Sequence, residues 1–366
     1  MATKSGLSSG SLTAKWKKVA DHEVLKRSSH SVAAIGENEN ADGHELFVFG
    51  GELVARQPKD GHVHVLSASQ NEPRTLNASP SSSTSTQTPT PRVGSTMAAL
   101  QDTLYIFSGR GGPSMTALDE DGGFWTLTPS SSKQTQWTFL SLQTTSPHPE
   151  PRSYHCTTTD NASQIYIHAG CAASGRLRDF WSFDIGTKIW KQLPDAPEPA
   201  RGGTSLCFAQ GKVWRFGGFD GEKEIGGVLD WYDVRKGEWG ESVTFEADGV
   251  EGPGARSVAG LVPVVVSRNG NGEGEGRLYL VAVFGEADPS SLGHEGAGKM
   301  LGDVWAFDVD GRKWAKVDDS TTDGNDGKPA PRGWFGAAAV GPRQLAVVGG
   351  LGEDNERLGD AWVLEF

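Results

Sequence analysis

Residues 286–298 read EADPSSLGHEGAG, and this stretch holds the side chains best suited to chemistry. Two carboxylates, Glu286 and Asp288, and the imidazole of His294 fall within nine residues. Such a set can present ligands to one side of a divalent metal and leave its other positions open. Mixed oxygen and nitrogen donors suit iron(II) or manganese better than a closed structural zinc. The same spacing also describes a solvated acidic turn with a surface histidine, and spacing alone does not separate the two. Arginine is the second candidate. Arg27, Arg92, Arg152, Arg201, Arg256 and Arg332 each precede small or aromatic residues, as in Arg152-Ser153-Tyr154-His155 and Arg332-Gly333-Trp334-Phe335. A guanidinium fork binds sulfate or carboxylate through paired charge-assisted bonds; it can equally hydrogen-bond the carbonyls of neighbouring strands. Weaker candidates are His62 and His64, which alternate as on one strand face, and His30 and His155, which read as packing residues. Cys156, Cys171 and Cys207 read as buried small hydrophobes. No nucleophile elbow, phosphate loop or dinucleotide fingerprint is present. The five tyrosines are scattered, unlike the tyrosine-rich centre that a galactose-oxidase-like copper site needs.

The elements that would position these residues are short strands in a repeat. Apolar, β-branched runs ending at a glycine recur at Leu46–Gly51, Leu104–Gly109, Ile165–Gly170, Val213–Gly218, Leu280–Gly285 and Leu345–Gly350. A spacing of about 50 residues with added loops fits kelch-type blades, and strand-length runs exclude a helical solenoid. A second marker follows each run: Asp179-Phe180-Trp181 with Trp190, Asp303-Val304-Trp305 with Trp314, and looser copies around Trp125 and Trp231. Each reads as two further strands, with aromatics packing between neighbouring blades. The sixth copy, around Trp362, runs out at the carboxyl terminus, while Lys15-Trp16-Lys17-Lys18-Val19 has the missing strand's pattern. Pairing the termini would remove a sheet edge. The sequence thus predicts an all-β fold, a six-bladed kelch β-propeller over residues 1–366, its last blade closed by the N-terminal strand. Up-and-down strand order puts the six arginines around one mouth. Ser79 to Pro91 and Arg268 to Arg277 are low in apolar residues and read as excursions, the first as a disordered loop.

Lys and Arg total 34 against 46 Asp and Glu, giving 34 − 46 = −12 over 366 residues. That charge argues against nucleic acid or an anionic membrane as partner. No apolar stretch is long enough to span a bilayer, and Met1 to Lys18 lacks a secretory core. Three cysteines make no disulfide framework. The expectation is a soluble, cytoplasmic protein.

The chain resembles the plant specifier proteins of glucosinolate breakdown: the nitrile-specifier, epithiospecifier and thiocyanate-forming proteins. The likeness runs over nearly the whole length, through Arg27 to His30, Phe49 to Leu53, Trp137 to Leu140, Arg152 to His155, Trp190 to Pro194, Arg201 to Gly203, Gln210 to Trp214, Glu286 to Gly298 and Arg332 to Trp334. The His294-to-Gly298 run and the Glu286-to-His294 spacing are its most particular features. The resemblance implies iron(II) held by Glu, Asp and His spaced ExxxDxxxH. Glu286 and His294 match the outer positions, but Ser290 stands at the centre, with Asp288 two residues earlier. Asp288 swings in, Ser290 or water fills the gap, or metal binding is lost; the reading taken is retention with Asp288 nearby. The resemblance also implies that Arg152 and Arg92 hold the sulfate of an aglucone, although a second arginine that related chains tend to carry after Arg92 is missing here.

The resulting expectation is an iron(II)-dependent, lyase- or isomerase-like specifier. It would direct the non-hydrolytic rearrangement of an unstable anionic intermediate to nitrile-type products, supplied by a thioglucosidase-type partner. The rivals are a non-enzymatic kelch interaction scaffold and a lyase or cyclase acting on another reactive metabolite. A binding scaffold would show a broad apolar or charged patch; a specifier would show a narrow polar pocket.

Overall fold

The structure, a computed structural model, describes residues 12–36, 43–67, 72–80, 87–129, 135–142, 147–267, 276–293, 296–322 and 327–366. Among them the chain is all-β, with one short 3-10 turn at Glu23–Leu25. No helix there is long and apolar enough to cross a membrane. Six larger sheets follow one another along the chain. Their first strands are Ser28–Gly36, Thr96–Leu100, Cys156–Thr159, Ser205–Ala209, Gly260–Ser267 and Gly336–Ala339. Each first strand lies beside those of the sheets before and after it, and Gly336–Ala339 lies beside Ser28–Gly36. The N-terminal strand Thr13–Asp21 pairs antiparallel with Asp360–Glu365 in the sixth sheet, Trp16 opposite Leu364 and Lys18 opposite Trp362. Of the expected excursions, Ser79–Pro80 pairs in parallel with Gln136–Leu140, while residues 81–86 and 268–275 lie outside the described residues.

Glycine ends the second strand of each sheet for a steric reason. Gly285 has φ +114°, and a Cβ there would stand 2.8 Å from the Ser257 carbonyl oxygen. The left-handed turn aims its N–H at the next sheet, where it donates to the Arg332 carbonyl at 2.9 Å. The same bond recurs from Gly109 to Arg152, Gly170 to Arg201, Gly218 to Arg256 and Gly350 to Arg27. A second set of bonds joins the residue two after each arginine. Gly94 N donates to Ser29 O, Tyr154 to Gly94, Gly203 to Tyr154, Val258 to Gly203, Trp334 to Val258, and Ser29 to Trp334, at 2.7–3.3 Å. These bonds run head to tail through all six sheets and return to their start. Four of the six residues carry side chains yet have φ between 46° and 59°. That conformation costs about 1–2 kcal/mol each, which the hydrogen bonds of the hub offset.

The core lies between sheets. In the second to fifth sheets the aromatic of the fourth strand reaches back onto the preceding sheet. Trp137 packs on Phe49, Trp190 on Phe124, Trp239 on Phe180 and Trp314 on Phe216, at ring-centroid distances of 5.3–5.8 Å. Trp16 stacks on Phe284 at 5.5 Å, so the N-terminal strand occupies the same role in the sixth sheet. Each such pair contributes about 0.5–1.5 kcal/mol beyond its buried area.

Candidate active site in the mouth pocket

The six arginines share one arrangement. All are at most 1 % exposed, and Nη1 of each donates to a carbonyl at the end of the second strand, such as Gly50 for Arg27 and Ala169 for Arg152. Five also clasp a carboxylate: Asp60, Glu120, Asp179, Asp303 and Asp360. In the last four the acid also accepts an indole N–H, from Trp125, Trp181, Trp305 and Trp362. The Asp-x-Trp marker is therefore half of a buried arginine clasp. Arg152 and Arg92, expected as anion anchors, are both held in such clasps. Arg152 meets both oxygens of Asp179 at 2.6 and 2.7 Å, Arg92 holds Glu120 at 2.8 and 3.0 Å, and neither contributes to the wall of the mouth pocket. A substrate anion would have to displace a bidentate internal carboxylate. Arg201 is the exception. Its strand position for an acid is taken by Val228, one residue before Leu229 as Asp179 is before Phe180. Its Nη2 has no partner among the described residues, and burial first, then Arg215, push its pKa down to about 9.

The residues immediately after the strand-ending glycines form a ring of equivalent positions: Glu52, Arg110, Cys171, Phe219, Glu286 and Leu351. Opposite three of them, across short hairpins, stand Arg176, Glu224 and Arg357. On the third, fourth and fifth sheets these residues enclose a cavity of about 370 Å³ with Ser290 and its loop. Tyr154, Gly203, Val258 and Trp334 of the hub line this cavity and also a narrower one of about 220 Å³ among the first strands. Tyr154 and Trp334 meet edge to face at 5.3 Å.

Glu286 is 5 % exposed. Its Oε1 accepts from Gly298 N at 2.7 Å and its Oε2 from Trp334 Nε1 at 3.1 Å. Burial raises its pKa against these two bonds. Glu224 has a buried Oε1 that accepts no hydrogen bond among the described residues. Burial, reinforced by the charges of Glu286 and Asp288, pushes it up to about 7 despite its own backbone N–H. Arg176 donates Nε to the Phe219 carbonyl at 3.0 Å, with its guanidinium 5.1 Å from the Phe219 ring centre. The Cys171 thiol is raised by burial, which argues against a nucleophile.

Of the expected metal ligands, Glu286 faces this pocket and Ser290 lines it. Asp288 is exposed, sits at φ 50° and is not on the wall. His294 lies outside the described residues. Among the described residues no group of three or more His, Cys, Asp or Glu is placed to hold a metal. His64 contacts Thr75 and Asp60. His30 meets the Val348 carbonyl and His155 the Thr96 hydroxyl, both as buried packing residues. Sequence reasoning missed Arg176 and Glu224. The available signal was their register: each stands five residues after the residue that follows a strand-ending glycine.

A family model described as the KLHDC2/KLHL20/DRC7 Kelch-repeats domain matches residues 29–267. The N-(sulfonatooxy)prop-2-enimidothioate sulfolyase of Thlaspi arvense is 26% identical over 372 residues, covering 94% of this chain and 95% of that protein. Adagio-like protein 1 of Oryza sativa subsp. japonica is 32% identical over 189 residues, 49% of this chain and 27% of that protein. The human multiple epidermal growth factor-like domains protein 8 is 31% identical over 157 residues, 40% of this chain and 5% of that protein. The glycine turns, the arginine clasps and the matched repeats agree: the chain belongs to the kelch-repeat family, and its likeness to the sulfolyase spans nearly its whole length.

Proposed function

We propose that this chain is a single six-bladed kelch propeller, closed by its N-terminal strand, and that it acts as a specifier-like lyase in its mouth pocket. The substrate is an unstable anionic intermediate of the glucosinolate-aglucone kind, delivered by a thioglucosidase, and the products are nitrile-type. The observation that carries the reading is the pocket itself: a buried, oriented carboxylate, Glu286, shares one wall with Arg176 over an aromatic floor. The full-length likeness to a sulfolyase supports the reaction class. The cycle of hub hydrogen bonds supports the closed ring.

The donor set supports a divalent metal only in part. Glu286 keeps a lone pair on each oxygen after its two hydrogen bonds, and Ser290 adds an oxygen on the same wall. Iron(II), held by Glu286 and His294, would supply Lewis acidity and affinity for sulfur. The chain's own residues do the rest. Arg176 takes the anionic group, its fork held against Phe219 and fixed by the Nε bond. Arg110, next to the strand-ending Gly109 on the neighbouring sheet, adds positive charge to that side. Trp334 fixes the Glu286 carboxylate, and with Tyr154 it seals the pocket floor, keeping water from the intermediate. The exposed large hydrophobics among the described residues are few, including Leu53, Val250 and Leu292, which favours a pocket over a broad docking patch.

The test mixes the chain with a thioglucosidase and an aliphatic glucosinolate, with and without iron(II), and measures products by gas chromatography. Nitrile-type product should rise with the wild type and iron, and fall at least tenfold in Glu286→Ala and Arg176→Ala (about 1.4 kcal/mol of transition-state stabilisation each). A product distribution unaffected by the chain would overturn the reading.

A further inference from the structure

We infer that the mouth pocket selects a dipolar ligand, its anionic group held by Arg176 and a protonated amine at its other end held by Glu224. The inference rests on the reading that Arg176 takes the anionic group, and it narrows the substrate class to anions with an amine-bearing side chain. Arg176 and Glu224 stand at equivalent positions on neighbouring sheets, bridged to Cys171 and Phe219 respectively. Both line the cavity of about 370 Å³. Charge around this cavity is segregated. The third sheet contributes Arg176, and the charge of Arg110 on the second sheet reaches Cys171 and Tyr154 of the same wall. The fourth and fifth sheets contribute Glu224 and Glu286.

Opposite charges lining one cavity attract each other strongly where water is scarce, yet among the described residues no ion pair joins Arg176 to Glu224. The backbone accounts for this. Nε of Arg176 is drawn to the Phe219 carbonyl at 3.0 Å, and the guanidinium lies against the Phe219 ring. Its two terminal nitrogens donate to no group among the described residues. Oε1 of Glu224 is buried and accepts no hydrogen bond among them, which is costly unless a donor meets it. Both side chains therefore keep bonding capacity for a ligand. Glu286 differs, since its oxygens already accept from Gly298 and Trp334. A ligand hydroxyl would satisfy Glu224 Oε1 but brings no charge, and the negative charges of Glu286 and Asp288 act on Glu224 as well. An ammonium group supplies donors and a full positive charge together. Trp334 and Tyr154 on the wall add aromatic surface, which ammonium groups favour.

The experiment measures binding of stable sulfonates to the full chain by calorimetry at about pH 8, where Glu224 is ionised and an alkylamine keeps its proton. Taurine and homotaurine carry the amine; ethanesulfonate and propanesulfonate lack it, and hydroxyethanesulfonate has a hydroxyl in its place. Taurine or homotaurine should bind roughly tenfold or more tighter than its amine-free counterpart, the scale of a hydrogen bond to a charged group. Glu224→Gln should bring the pair within about twofold of each other. It should leave the amine-free sulfonates unchanged, and their retained binding reports an intact pocket. Arg176→Met should weaken every sulfonate. If Arg176→Met does so but neither amine gains over its counterpart, or Glu224→Gln keeps the gain, the role of Glu224 fails while the anion anchor stands. Hydroxyethanesulfonate binding as tightly as taurine would overturn the amine as the group recognised. Sulfonate binding unchanged in Arg176→Met would overturn both the inference and the reading it rests on, as would a chain that binds none of the five.

Discussion

A buried guanidinium that clasps no carboxylate is costly, and Arg201 is the one arginine of the six that clasps none, with only the more distant charges of Asp230 and Asp220 to favour it. Three of its equivalents show what its partner should be: Asp179, Asp303 and Asp360 each stand one residue before the third strand's inward aromatic or aliphatic position. Val228 occupies that place in the fourth sheet. Val228→Asp should supply the missing clasp and raise stability by about 1–3 kcal/mol, the worth of hydrogen bonds to a charged group. The converse change, Asp179→Val, strands Arg152 and should cost about 3 kcal/mol or more, as breaking a buried pair does. Urea unfolding of both variants checks the pair, and a destabilised Val228→Asp would show that the valine side chain is needed where it is. The sequence announces both halves of this clasp, the arginine and the Asp-x-Trp marker. It does not announce that they bind each other, because Arg152 and Asp179 are 27 positions apart and only the strand register brings them together. That is why the clasp arginines look free in the sequence, while Arg176 and Glu224, announced only by their five-residue register after the turn, go unnoticed.

The strand-ending glycines show how an element delivers a side chain to the mouth pocket. Gly285 turns the chain through φ +114° so that Glu286 enters the mouth, and its missing Cβ lets the backbone pass Ser257. Gly285→Ala meets two penalties, the left-handed backbone and a contact of 2.8 Å with a carbonyl oxygen, and should lose about 2–4 kcal/mol. Gly112 has φ +69°, but a Cβ there would have nothing within 4 Å, so Gly112→Ala should lose only about 1 kcal/mol. Thermal melts of the two variants separate sterics from backbone preference; equal losses would mean that the contact at Gly285 relaxes freely. At this scale the sequence is highly legible. Apolar runs, glycines and tryptophans repeat, and each has one packing job. The tryptophan nine residues after the Asp-x-Trp marker lands on the preceding sheet, as Trp190 does on Phe124. What the repeat does not carry is the shape of the mouth, since the loops there differ from sheet to sheet.

Across the whole molecule, two opposed sets of carboxylates and three buried histidines set how stability depends on pH. In the clasps, burial pushes Asp303 and Asp360 upward, but the bonds and charge of Arg256 and Arg332 outweigh it and hold both below the ordinary range. Their contribution is present above the unfolded-state pKa of about 3.9 and is lost as the pH falls through their folded values. At the mouth the sign reverses. Glu224, Glu286 and Glu52 are raised, chiefly by burial, so the folded state holds their protons longer than the unfolded chain does. Stability from these groups is complete below about pH 4.3 and declines as the pH rises, for Glu224 through about 7. The formal charge of −12 adds repulsion in the same direction. Burial also depresses the pKa of His30, His155 and His168, so the unfolded chain takes up their protons first and stability falls as the pH drops below about 6.5. Metal-free protein should therefore be most stable between about pH 6 and 7, falling on the acid side as these histidines charge and the clasps open, and on the alkaline side as Glu224 ionises. Urea midpoints from about pH 3 to 9 measure this directly. Glu224→Gln should flatten the alkaline limb and leave the acid limb in place, because the clasps are untouched. A wild-type midpoint that keeps climbing from about pH 7 to 9 would mean that Glu224 ionises without cost.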